Sequence, residues 1–141
     1  MAPATQTPHD ALAKLQVRND TDADAQIRDG YPVSVAMHVQ DVLDLTDTQM
    51  AEILGRSRRT YTRYRNEDKI LGLPESERLF RYVRLLAKAE EIFGARDKAA
   101  WWMRESNATL DGRTPIDVAL TAPGAVVVEE LLAGIEHGFP L

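Results

Sequence analysis

The sequence predicts an all-α protein: a helix-turn-helix region followed by a C-terminal helical region. Three observations carry this. Apolar residues recur at helical spacing through most of the chain, as in Leu79, Tyr82, Val83, Leu86, Ala89 and Phe93. Helix-start signatures punctuate these runs: Thr46 with Gln49, Ser57, Thr114 with Pro115 and Asp117, and Thr121. No segment alternates apolar and polar residues as a half-buried strand does. The β-prone run "AVVV" leads into "EELLAGIEHG", which argues for a helix.

In chain order, residues 1–30 are rich in Ala, Thr, Asp and Pro, with weak periodicity, and are expected to form a mobile arm. Residues 31–72 hold the helix-turn-helix region. Its first helix carries Val35, Val39, Val42 and Leu43. The next starts at the Thr46–Gln49 capping box, presents Met50, Ile53 and Leu54 on one face, and stops at Gly55. Ser57 caps a third helix that runs to about Asn66 or Asp68. Residues 73–141 form the C-terminal region. A long helix spans Pro74 or Glu75 to Phe93 and Gly94 ends it. "RDKAAWWMRES" forms the next, and neighbours on a helix cannot share a face, so one of Trp101 and Trp102 is expected to face solvent or a partner. A short helix starts at Thr114. The last is capped by Thr121, uses Val127, Leu131, Leu132 and Ile135 as its apolar face, and stops at Gly138.

The chain has 141 residues, 44% of them hydrophobic, which suits one compact domain or two small ones. With no cysteine there is neither a disulfide framework nor a thiolate site. No apolar run approaches the roughly 20 residues of a membrane helix, and the start lacks the pattern of a signal peptide. A cytoplasmic protein without membrane contact is expected. His9, His38 and His137 are scattered without metal-ligand spacing. Glu90–Glu91 and Glu129–Glu130 are adjacent in sequence and so diverge by about 100° on a helix. With no catalytic constellation, phosphate loop, cofactor motif or metal set, a binding function is expected and an enzyme is not.

Charge is concentrated. The net formal charge is −5, yet residues 56–65 contain five arginines and no acid. A local basic patch in an acidic chain implies one anionic partner at one place. On a helical wheel, Arg58, Arg59, Thr62, Arg63 and Arg65 share one side, while Thr60, Tyr61 and Tyr64 face the other. An inner face fixed by the preceding helix and an outer face of guanidinium and hydroxyl suit a recognition helix in a DNA groove. Arg58, Arg59, Thr62 and Arg63 are candidates for base or groove contacts; Arg56, Ser57 and Arg65 are candidates for phosphate. The plainer alternative is a solvated or protein-binding charged face.

At residues 40–138 the chain resembles the Xre/MbcA/ParS-like antitoxins that partner RES-domain toxins in type II toxin–antitoxin systems. The resemblance rests on "LTDTQMAEILGRSRRTYTRYR", on "LGLPESERLFRYVRLLAKAEEIFG", and on the landmarks Trp102, Asn107, Leu110, Gly112, Pro115, Thr121, Gly124 and Gly138. The chain departs from the family at Ser106-Asn107, usually Pro-Asn, at Asp111-Gly112, usually Gly-Gly, and at Ala119-Leu120, usually Leu-Leu. The resemblance implies an antitoxin that holds an NAD⁺-consuming RES toxin inactive by direct contact. It also implies that DNA binding represses the shared operon, and that the antitoxin forms a homodimer within a toxin–antitoxin hetero-oligomer. It implies that the C-terminal segment reaches the toxin's active-site cleft. The residues themselves agree: Phe139, Pro140 and Leu141 after Gly138 make an apolar plug, while Glu129, Glu130 and Glu136, with His137 beside them, add polar and charged contacts. The rival reading is a stand-alone helix-turn-helix regulator whose C-terminal region dimerises or senses a ligand.

Overall fold

The computed structural model describes residues 20–138. The chain divides into two compact units, residues 1–80 and 81–141. The all-α expectation holds: among the described residues there are helices, turns and two isolated β-bridges, but no sheet.

In the first unit, helix α1 spans Asp20–Asp29. Of residues 1–30, expected to form a mobile arm, residues 20–29 make up this helix and residues 1–19 lie outside the described residues. The helix escapes a periodicity search because Ala23 is its one buried residue. Its support is electrostatic: Asp20 and Asp22 lie in the first turn, Arg28 in the last, and Arg28 pairs with Asp24 at 3.0 Å.

Helix α2, Val33–Val42, buries Val33, Val35, Ala36 and Val39. The segment before it pairs with residues 69–71 in an antiparallel bridge. The Val33 N–H donates to the Lys69 carbonyl and the Leu71 N–H to the Tyr31 carbonyl, each at 2.8 Å.

Helices α3, Asp47–Leu54, and α4, Arg58–Asn66, form the helix-turn-helix pair. The capping box is present in both directions: the Gln49 N–H donates to Thr46 Oγ1 at 3.1 Å, and the Thr46 N–H to Gln49 Oε1 at 2.8 Å. Gly55 ends α3 with φ +72°, a conformation that suits glycine. Arg78 closes the same end, its Nη1 donating to the Leu54 carbonyl at 3.3 Å.

Helix α5, Leu73–Phe93, begins in the first unit and ends in the second. The sequence suggests a boundary at its start, between residues 72 and 73; the compact units instead divide after Phe80. The reason is that the first turns of α5 are bonded into the first unit. Glu75 accepts from Arg56 and from the Gly72 N–H, Ser76 Oγ accepts from the Tyr31 N–H, and Arg78 reaches Leu54.

The second unit contains the rest of α5, helix α6 (Arg96–Arg104), a 3₁₀ turn (Ala108–Leu110), helix α7 (Pro115–Val118) and helix α8 (Ala122–Glu136). Tyr82 donates its hydroxyl proton to the Ile116 carbonyl at 2.8 Å, tying α5 to α7. The departure at Asp111-Gly112 is accommodated: both residues are left-handed, at φ +58° and +82°, and aspartate tolerates that region better than most side chains. Gly124 is required by close approach, since a Cβ there would overlap the Val118 carbonyl oxygen.

Helix α8 buries Val128, Leu131, Leu132 and Gly134. Val127, expected on this face, is instead 45% exposed, and Val126 is 52% exposed. The run of three valines conceals the helical phase, which differs by one position.

Candidate functional site

The basic helix α4 has a buried inner face and a cationic outer face. Tyr61 and Tyr64 are buried. Tyr61 is held by a 2.6 Å hydrogen bond from its hydroxyl to Gln40 Oε1, and burial pushes its phenol up to about 12. The inner face therefore carries one specific polar tie as well as packing.

The outer face divides into the two sets of arginines that the sequence separates as groove and phosphate candidates, but the structure sets them apart by their partners within the protein. Arg58 and Arg59 are exposed, and Arg58 acts on Asp47 only through its charge. Arg63 is exposed, with Glu67 at 3.9 Å and its guanidinium 5.7 Å from the Tyr64 ring centre. These three are available to an incoming anion. Arg56 and Arg65, considered as phosphate contacts, are already paired within the protein. Arg56 Nη2 lies 2.6 Å from Oε1 of Glu75, a carboxylate only 3% exposed. Burial pushes the Glu75 carboxyl up. Hydrogen bonds from Arg56 and the Gly72 N–H, together with the Arg56 charge, outweigh this and hold it below its ordinary value. Arg65 forks onto Asp47, Nη1 to Oδ1 at 3.0 Å and Nη2 to Oδ2 at 2.9 Å. Hydrogen bonds from Gln40 and Arg65 hold the Asp47 carboxyl below its ordinary range. Both acids lie 18 or 19 positions from their arginines, beyond the reach of a local charge count.

The two hydroxyl candidates are also engaged. Ser57 Oγ accepts from the Thr60 N–H as the helix cap and donates to Thr60 Oγ1. Thr62 Oγ1 donates to the Arg58 carbonyl at 3.0 Å, leaving its lone pairs as acceptors.

In the second unit, Glu130, Glu136, His137 and Gly138 are exposed at and near the end of α8. Glu129, grouped with them on sequence, is partnered by Arg84 at 2.8 Å. Phe139, Pro140 and Leu141 lie outside the described residues. The tryptophans differ as expected: Trp101 is 61% exposed, whereas Trp102 is partly buried, its ring centre 5.7 Å from that of Phe93. Sequence reasoning missed the exposed pair Val126 and Val127; a helical phase set from Leu131 and Leu132 with Val128 would have found it. Among the described residues no three His, Asp or Glu side chains converge as a metal site, and no helix is long and apolar enough to cross a membrane.

Two family models match this architecture in order. Residues 22–84 match the antitoxin Xre-like helix-turn-helix domain, and residues 88–138 match the antitoxin Xre/MbcA/ParS C-terminal toxin-binding domain. The antitoxin Xre of Photorhabdus laumondii is 32% identical, over 81% of this chain and 78% of that protein. The chain belongs to the Xre antitoxin family. The antitoxin Xre of Yersinia enterocolitica is 31% identical over 79% and 76% of the two chains, and that of Pseudomonas putida 29% identical over 94% and 87%. A chain from the crystal structure of the M. tuberculosis MbcT–MbcA toxin–antitoxin complex shares the fold, with TM-score 0.58 and 22% identity over 77% of this chain and 96% of that one. As an Xre antitoxin, the chain pairs a helix-turn-helix domain that carries the arginine-rich α4 with a toxin-binding domain that carries Trp101 and α8.

Proposed function

We propose that this antitoxin neutralises a cognate RES-domain toxin that consumes NAD⁺, that it does so by occupying the toxin's active-site cleft with its C-terminal segment, and that it represses its own operon by binding operator DNA through α4. The observation that carries the reading is the match of residues 88–138 to a toxin-binding domain whose last helix ends with Glu136, His137 and Gly138 exposed. A plug works by occupancy, so the antitoxin needs no catalytic group, and it acts in the cytoplasm where NAD⁺ is consumed. The DNA half of the proposal is supported by Arg58, Arg59 and Arg63, which present three cations on one side of a helix whose other side is buried. Homodimerisation through the helix-turn-helix region would place two such helices on one operator.

Growth rescue tests the toxin half. The neighbouring RES protein is expressed with and without this chain while colony formation and cellular NAD⁺ are followed. Restored growth and NAD⁺ are expected with the full chain, and not with one lacking Gly138 to Leu141. A toxin that stays active beside abundant, soluble antitoxin would overturn this reading in favour of a stand-alone regulator.

A further inference from the structure

We propose that Gln40, Asp47 and Arg65 form a positioning clamp that sets the angle of the recognition helix and thereby its sequence preference, and that Arg65 makes no phosphate contact. The inference rests on the DNA-binding reading of α4. It starts from a node where three helices meet through side chains. Asp47, the first residue of α3, receives both terminal nitrogens of Arg65 from α4. Asp47 Oδ1 also receives the Gln40 amide from α2 at 2.8 Å. The same Gln40 amide group donates to the Leu45 carbonyl at 3.1 Å, and its oxygen accepts from Tyr61 of α4. Every heteroatom of the Gln40 side chain is thus committed, and α4 is gripped at Tyr61 and Arg65, one turn apart.

The geometry argues against Arg65 as a phosphate ligand on three counts. A bidentate fork is the strongest pairing a guanidinium makes, and this one is occupied. The Arg65 guanidinium lies 4.8 Å from the Tyr61 ring centre, a second contact that holds it in place. Arg65 also borders a depression of about 380 Å³ that is lined by Asp41 and Asp44, so a phosphate arriving there meets acids besides Asp47. Arg58 and Arg59, by contrast, are exposed.

Two substitutions separate clamp from contact, Asp47→Asn and Arg65→Gln. Affinity for the upstream operon DNA and for a scrambled duplex is measured by fluorescence anisotropy across a salt series, with circular dichroism confirming that each variant is folded. A positioning role predicts that both variants lose roughly tenfold in preference for operator over scrambled DNA. It also predicts that the dependence of log K on log salt keeps its wild-type slope. The preference is a ratio on the folded fraction, so a merely structural role would leave it unchanged. A phosphate role predicts the opposite pattern: Arg65→Gln flattens the slope by about 0.9, while Asp47→Asn releases Arg65, tightening operator binding and steepening the slope. That pattern, or an unchanged preference in both variants, would overturn the inference alone. A wild-type protein with no preference for the upstream DNA would overturn the DNA-binding reading, and the inference with it.

Discussion

The hydroxyl of Tyr61 lies 2.6 Å from Oε1 of Gln40, joining the buried face of α4 to α2 across 21 positions of sequence. Replacing Tyr61 with phenylalanine keeps the packing and removes one donor, leaving Gln40 Oε1 short of a partner. The expected loss is about 1–2 kcal/mol, read as a lower urea midpoint with unchanged m-value. An unchanged midpoint would mean that water replaces the hydroxyl at no cost.

Glycine substitutions should rank by the space around each residue. Gly94 has φ +77° and nothing within 4 Å of the place a Cβ would take, so Gly94→Ala carries backbone strain alone, roughly 1 kcal/mol. Gly55 has similar φ, but its Cβ would lie 2.8 Å from the Arg78 guanidinium, so Gly55→Ala should cost more and disturb the cap on Leu54. Gly124→Ala meets backbone at the Val118 carbonyl and should be the worst of the three, at about 3 kcal/mol. Thermal melts of the three variants check the order; equal Tm values would refute it.

Acid should weaken the helix-turn-helix unit through two carboxylates. Asp47 and Glu75 both have folded-state pKa values below their ordinary ones. Their contribution is therefore fully present above the unfolded values, roughly pH 4, and is lost as pH falls through the folded values. Stability measured from neutral pH down into the acid range should decline there. The decline should be shallower in Asp47→Asn, which starts lower but has no proton to gain at that position. A parallel decline in the two proteins would show that other groups dominate.

The three available arginines can be counted. Replacing Arg58, Arg59 and Arg63 with alanine should abolish most operator affinity and flatten the log K against log salt slope by up to about 2.7, if each meets a phosphate. Toxin capture should survive, since the toxin-binding domain match begins at residue 88. Retained operator affinity would remove α4 from the interface.

Trp101 and Trp102 should report separately. Trp101 is exposed and Trp102 packs against Phe93. Emission from Trp102→Phe, which leaves Trp101 as reporter, should be red-shifted relative to Trp101→Phe. Trp101→Phe should also leave stability within about 0.5 kcal/mol of wild type, whereas Met103→Ala, at a fully buried position, should cost about 2–5 kcal/mol.

What could be read from the sequence was local. The Thr46–Gln49 box, Gly55, the Ser57 cap and the Thr114 and Thr121 starts each involve residues within a few positions of one another, and all stand as expected. The wheel of α4 correctly turned Tyr61 and Tyr64 inward. What escaped was non-local. All five arginines in a stretch of ten were candidates for DNA contact, in groove or at phosphate, and only folding brought Asp47 to Arg65 and Glu75 to Arg56. Glu129 was likewise grouped with its neighbours until Arg84, 45 positions away, came to meet it. Helix α1 was missed for the converse reason: its signal is charge placement, not apolar periodicity.

The turn at Asp111-Gly112 also bears on how the molecule ages. Aspartyl-glycine is a sequence prone to cyclise, with the glycine nitrogen attacking the aspartate carboxyl to give a succinimide and then isoaspartate. Here the Gly112 N–H is committed to the Asn107 carbonyl at 2.9 Å, within a turn whose two central residues are both left-handed. The folded turn withholds the nucleophile, so isoaspartate at Asp111 should accumulate only in chains that have opened. Peptide mapping of stored protein would then read that residue as a chemical clock of time spent unfolded.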